Sequence, residues 1–359
     1  MNTSLSALAL AALASGLSAQ GTDLPTDPDT AALLGAGFEF SSRDGHARDG
    51  GWTSHRPDGH APIGVMGDHL HSAGEWMVSL RLMRMHMEGM RNNTSGISNS
   101  DVFGQGFLVT PTEMDMDMLM LGGMYAPTDE WTLMLMVPYV SNWMNHETAM
   151  GVTFDTESEG LGDVRFTAMR SLYDAGDERV HLNLGVSLPT GSVDERDDTP
   201  AMANAKLPYP MQLGTGTFDF LPGITYLGQS GDTSWGAQGT LRFHLGENSE
   251  DYKHGNRQNV TGWIAQRLGQ DLSGSLRLDF NKWENFHGAD PDLNPAMVPT
   301  ADPDLRGGDR LDALVGHNWN PGLGGNRLAL EAGVPLYQDL DGPNLETDWI
   351  VTLGWQLSL

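Results

Sequence analysis

The sequence contains no cysteine in 359 residues. Disulfides, thiolate metal centres and cysteine nucleophiles are therefore excluded. Basic residues are scarce, with 20 Lys and Arg against 47 Asp and Glu and a formal charge of −27. A nucleic-acid surface needs clustered cations to meet phosphates, so that partner is excluded as well. Downstream of the N-terminus, no apolar run approaches the roughly 18 to 20 residues that a membrane helix needs. There is no HExxH, no P-loop and no strand–GxGxxG–helix unit. His146, His181, His244 and His317 stand without a recognisable serine nucleophile, so the chain does not read as an enzyme. These absences suggest an acidic soluble protein. They are blind to a transmembrane β-barrel, whose apolar residues alternate with polar ones.

What is present begins with Leu5 to Ala19, an uncharged stretch of Leu, Ala, Ser and Gly ending in small residues. It reads as a cleaved signal peptide over 1–19, although its start lacks Lys and Arg. Residues 20–73 are rich in Gly, Pro, Asp and His without periodicity, and read as an irregular periplasmic arm or plug.

From Gly74 the chain alternates. Trp349, Val351, Leu353, Trp355 and Leu357 share one face against Thr352, Gly354, Gln356 and Ser358, with Ile350 the exception. Val180, Leu182, Leu184, Val186 and Leu188 oppose His181, Asn183, Gly185 and Ser187. The pattern predicts about twelve strands, near 74–88, 113–125, 130–140, 161–173, 179–189, 215–227, 234–245, 257–268, 272–283, 308–319, 326–337 and 348–359. Short and long connections alternate, as in outer-membrane barrels with short periplasmic turns and long outer loops. Trp76, Trp131, Tyr139, Trp235, Phe243, Phe280, Trp349 and Trp355 fall on the apolar face, as interfacial girdles would. Glu75, Arg81, Asp163, Arg165, Arg242, Arg277, Asp279, Asp312 and Glu331 fall on the other, and are the candidate lumen-lining residues. The expectation is an all-β transmembrane antiparallel barrel over 74–359, with a soluble β-sandwich as the alternative. Most of the excess acid falls in the long connections, which would prefer cations and meet lipopolysaccharide.

Several stretches carry a resemblance. They are Gly160-Leu161-Gly162-Asp163, Gly185-Val186-Ser187-Leu188-Pro189-Thr190-Gly191, Leu213-Gly214-Thr215-Gly216 and Glu331-Ala332-Gly333-Val334-Pro335-Leu336. With them, residues 74–359 resemble the outer-membrane, transporter-like family named for the meta-cleavage pathway of phenol degradation. The resemblance implies an outer-membrane β-barrel passing small hydrophobic or aromatic molecules. The motifs themselves read as fold determinants, Gly permitting sharp bends and Pro a strand end or bulge. The C-terminal alternation also looks like the signal read by the barrel-assembly machinery, with Leu359 in place of the usual aromatic.

Methionine is the last peculiarity. Fourteen of the 20 lie between Met77 and Met150. Met83, Met85, Met134 and Met136 fall on lumen parity, where thioethers could hold copper. His60, His69 and His71 in the arm could bind Cu(II) or Zn(II). Met114, Met116, Met118 and Met120 are expected to face lipid, because Asp115 and Asp117 would be costly there. Asp290, Asp292, Asp302 and Asp304 are weak Ca²⁺ candidates. The functional expectation is a passive channel for small molecules. The alternatives are a copper-binding protein and a structural barrel without conductance.

Overall fold

The computed structural model describes residues 52–322 and 324–359. The expected leader over 1–19, and the expected arm as far as residue 51, lie outside them. Eleven continuous strands form the wall: β1 (Trp76–Asn93), β2 (Val109–Thr128), β3 (Trp131–Thr148), β4 (Val164–Ala175), β5 (Glu178–Leu188), β6 (Phe218–Ser230), β7 (Thr233–Leu245), β8 (Arg257–Arg267), β9 (Leu272–Trp283), β10 (Gly308–Trp319) and β11 (Asn326–Ser358). Each pairs with the next in sequence, and β11 returns to pair with β1, so the sheet is closed. Two further short strands, Ser95–Ile97 and Thr153–Leu161, pair onto β1 and β3.

A closed wall with only antiparallel neighbours needs an even number of passes. The last strand supplies the missing one. Its residues 328–340 pair antiparallel with β10, and its residues 340–358 pair antiparallel with β1. The chain must therefore reverse inside β11. Gly342, with φ +72° and Pro343 beside it, stands at the reversal. The eleven continuous strands thus make twelve passes.

Polarity is inverted relative to a soluble protein. Leu121, Ile264, Leu276, Val315 and Leu336 are all more than half exposed on the outer wall. Thr132, His181, Thr225, Arg277 and Glu331 are buried on the inner wall. A soluble sandwich would bury the first set, whereas a lipid-facing wall must expose it. Trp76 stacks on Tyr125 at 4.3 Å at the short-turn end, and Trp349 stacks on His86 at 5.3 Å toward the other end. Such aromatic pairs mark the two edges of the apolar band.

Several strands run further than alternation predicts. β2, β3 and the β1 end extend beyond the expected 113–125, 130–140 and 74–88. Once above the band, their outer face turns polar. Arg84 pairs with Asp117 there, and the His86 imidazole lies 2.8 Å from Asp115. This overturns the expected orientation of the central methionine run. Asp115 and Asp117 do face outward, but at the level of these partners and not in the lipid core. Met114, Met116, Met118 and Met120 therefore point inward, with Met114 fully buried.

Candidate functional site

The site is the lumen, and residues 52–73 occupy its short-turn end. Trp52 N–H donates to the Gly176 carbonyl, Thr53 N–H to Gln229, and His71 N–H to Thr132 Oγ1. In the other direction, Ser273 donates to the Pro57 carbonyl, Ser234 to Asp58, Asn318 to His60 and Gln238 to Met66. The Gly67 carbonyl can only accept, so His181 Nε2 donates to it at 2.9 Å. Gly64 N–H reaches Glu331 at 3.1 Å. Partners thus come from β3 and β5 through β7 and from β9 through β11. Buried Trp52, Ala61 and Val65 pack against Leu227 and Trp263 inside the wall.

The candidate lumen residues separate by level. Glu75 is at the threshold, where its carboxylate accepts from Ser72 N–H and lies 3.4 Å from His71. Arg81 is buried against Met66 Sδ. Arg277 gives Glu331 two bonds, at 2.8 and 2.9 Å, and stands 3.1 Å from Asp279. Arg242 pairs with Asp219 and lies 3.6 Å from Asp163. Arg165 shares that level, with its Nε lacking a hydrogen-bond partner. Asp312 is held by Arg310 at 3.0 Å.

Asp163 has a second role. It accepts from Gly191 N–H at 3.0 Å, and from Thr215 N–H and Thr215 Oγ1–H at 2.9 Å each. The Gly160–Asp163, Gly185–Gly191 and Leu213–Gly216 motifs thereby meet at one carboxylate. A Cβ on Gly191 or Gly214 would stand 2.6–2.7 Å from the backbone of the other, so both positions need glycine. Sequence reading recognised the motifs without their meeting point. Asp219, the partner of Arg242, was missed together with Thr217 and His244, which hydrogen-bond to it, because nothing local marks them.

Above this level the long connections fold inward. Lys206, its side chain 2% exposed, stands 3.1 Å from each of Asp194, Glu250 and Asp290. Asp194 is lowered from its ordinary value, first by Lys206 and then by Arg196. Asp290 also accepts from Asp292 N–H, Asp292 pairs with Arg196, and Asp302 accepts from Asp304 N–H. Asp290, Asp292 and Asp302 are thus engaged by cations or backbone, and among the described residues the four Ca²⁺ candidates form no shared cluster.

Methionine lines two parts of the lumen. Met77, Met124, Met134, Met136 and Met169 cluster beside the segment 52–73, with Met66 and Met120 packed on them. Met85, Met87, Met114 and Met144 line a cavity of about 180 Å³ together with Leu345, Trp283, Arg306 and Arg310. Met83 also faces inward from β1, between Met118 and Thr352. In the inner segment, His60, Asp68 and His69 come together, with His71 edge-on to His69 at 4.8 Å. Burial alone would raise the Asp68 carboxyl, but His69, the Ala61 N–H and Arg81 outweigh it and hold it at about 2. Burial lowers His69, against the pull of Asp68.

A closed wall, a filled lumen and glycine motifs joined at Asp163 define the architecture. Residues 98–320 match the family model described as the MetA-pathway of phenol degradation. The chain belongs to this family. Among solved structures, an outer-membrane channel from Pseudomonas putida F1 superposes with a TM-score of 0.56 at 14% identity, over 82% of this chain and 99% of that one. The β domain of the Bordetella autotransporter BrkA gives 0.42 at 11%, over 80% and 100%. The KdgM porin gives 0.39 at 11%, over 78% and 99%. The first of these shares the fold of the present family member. No curated protein sequence matches it. The exposed apolar wall of this barrel is of the kind that faces lipid.

Proposed function

We propose that this barrel is a plugged passive channel for small molecules with a largely apolar body. The observation that carries the reading is the methionine-lined cavity of about 180 Å³ between the wall and the inward-folded loops. Thioethers are flexible and polarisable and accept varied apolar shapes. Arg306 and Arg310 at the same cavity would favour a solute carrying one acidic group. Residues 52–73 would act as the plug, and must shift for passage. No nucleotide motif offers energy coupling, so transport would run down a gradient. The acidic long connections would face the cell surface and bridge through divalent cations to lipopolysaccharide. Val351, Leu353, Trp355 and Leu357 in the last strand would be presented to the barrel-assembly machinery.

Liposome flux tests the reading. The full chain should pass small apolar carboxylates slowly, and a chain lacking residues 52–70 should pass them about tenfold faster. Absence of flux from both, with the barrel folded, would leave a structural barrel instead.

A further inference from the structure

Inside the plug the chain doubles back so that residues 60 and 69 meet. The two Nδ1 atoms, of His60 and His69, are 3.3 Å apart. Asp68 places one carboxylate oxygen 2.8 Å from His69 Nδ1 and the other 3.8 Å from His60 Nδ1. Among the described residues only one other group could share an ion, and that trio, His86, Glu88 and Asp348, is on the outer surface.

Hydrogen bonding leaves this arrangement unfinished. His69 Nδ1 can carry one hydrogen, and Asp68 is the closer acceptor. The His60 Nδ1 then faces a nitrogen whose one hydrogen is turned toward Asp68. His69 Nε2 and His71 Nε2 are also buried without a partner. A coordinated ion accounts for the spacing better. Two imidazole nitrogens about 2.0–2.1 Å from a metal stand about 3.3–3.4 Å apart at a tetrahedral angle and about 2.9 Å apart at a right angle, so the spacing fits a shared ion and leaves the choice of metal to the surroundings.

The surroundings choose among metals. Asp68 and Gly67 open onto a small cavity whose other walls include Met77, Met120, Met124, Met134 and Met136. Gly67, at φ +62°, lies close enough to Met169 that a Cβ there would be 3.1 Å from its sulfur. A nitrogen–oxygen site thus stands on a floor of thioethers. Imidazole with carboxylate suits Cu(II), which heads the divalent affinity order, and thioether suits Cu(I). We propose that His60, Asp68 and His69 bind one copper ion within the plug, on a methionine floor that favours copper over zinc.

Such an ion would tie residue 60 to residues 68–69. It would close the loop 61–67, whose members reach Glu331 and Gln238 on different strands. The inference does not rest on solute passage, so flux and metal binding fail independently.

The test is titration of the purified full chain in detergent with Cu²⁺ and, separately, with Zn²⁺, read by metal content and, for copper, by electron paramagnetic resonance. One Cu²⁺ per chain is expected, with hyperfine coupling to two imidazole nitrogens. His60→Gln and His69→Gln should each weaken binding at least about tenfold. His86→Ala should leave it unchanged, and Met134→Leu with Met136→Leu should narrow the preference for copper over zinc. His60 lies at the edge of the cluster, so His60→Gln decides the matter should His69→Gln fail to fold. The proposal is overturned if the chain takes up no stoichiometric copper. It is equally overturned if His60→Gln keeps the affinity and spectrum, or if zinc binds as tightly as copper.

Discussion

The barrel is closed at both ends, by different chemistry. At the short-turn end, residues 52–73 are held mostly by single neutral hydrogen bonds, such as Gln238 to the Met66 carbonyl and His71 N–H to Thr132 Oγ1. At the long-loop end, segments are clasped by charge. Asp163 accepts three bonds from Gly191 and Thr215, and Lys206 is surrounded by three carboxylates. A neutral hydrogen bond contributes about 0.5–1.5 kcal/mol net, and one to a charged group about 1.5–3. Contacts of the first kind can be released one at a time, whereas the outer clasp shares its charged groups among several segments. We therefore predict that the inner closure is the one that moves.

The sharpest way to break that contrast is Asp163→Ala. It strands two buried N–H groups and a hydroxyl, and should cost about 3 kcal/mol or more of stability in urea titrations of the lipid-embedded protein. A loss below about 1 kcal/mol would mean that the outer closure is no firmer than the plug. Next comes Glu331→Gln, which removes one of the two counter-charges of buried Arg277, leaving Asp279 at 3.1 Å, and weakens the Gly64 contact. A cost of about 2 kcal/mol is expected, with faster solute flux. Gln238→Ala should cost only about 1 kcal/mol and act locally, as faster amide exchange within residues 64–68. If exchange instead accelerates across the wall, the plug and barrel are one cooperative unit.

The smallest effect is in pH. Asp194 is lowered by Lys206 and Arg196, so its folded form holds a proton less readily than the unfolded chain. Its stabilisation is complete above the ordinary value of 3.8 and fades as pH falls through the lower folded value. Protease cleavage within 190–214 should rise slightly below about pH 4 in wild type. Asp194→Asn should already show that susceptibility at neutral pH.

Within the lipid band, sequence showed the wall well, because lipid enforces alternation residue by residue. Leu184, Val186 and Leu188 could be assigned outward from spacing alone. Above the band that enforcement ends. The outer neighbours become Arg84, His86, Asp115 and Asp117, and alternation of hydropathy disappears although the strands continue. The error over Met114 to Met120 has this origin: an aspartate was priced at the midplane when it sits beside a cation above it. Residues 52–73 show no period because their partners are spread over several strands and follow no repeat. The pairings at Asp163 span 28 and 52 residues, and only their glycines were visible in the sequence.

The seam between β1 and the second half of β11 gives the molecule an order of construction. Met77 to Asn93 pair with Leu340 to Ser358, so the first wall strand waits for the last to arrive. The segment leading into β1 lies on the inside of that seam. If it is drawn in while the wall is still an open sheet, it enters sideways, unimpeded. Once the two edges have joined, its only way in is end-on, through the narrow mouth it is meant to fill. On this geometry, the timing of edge joining would decide whether a newly made barrel is stoppered or empty.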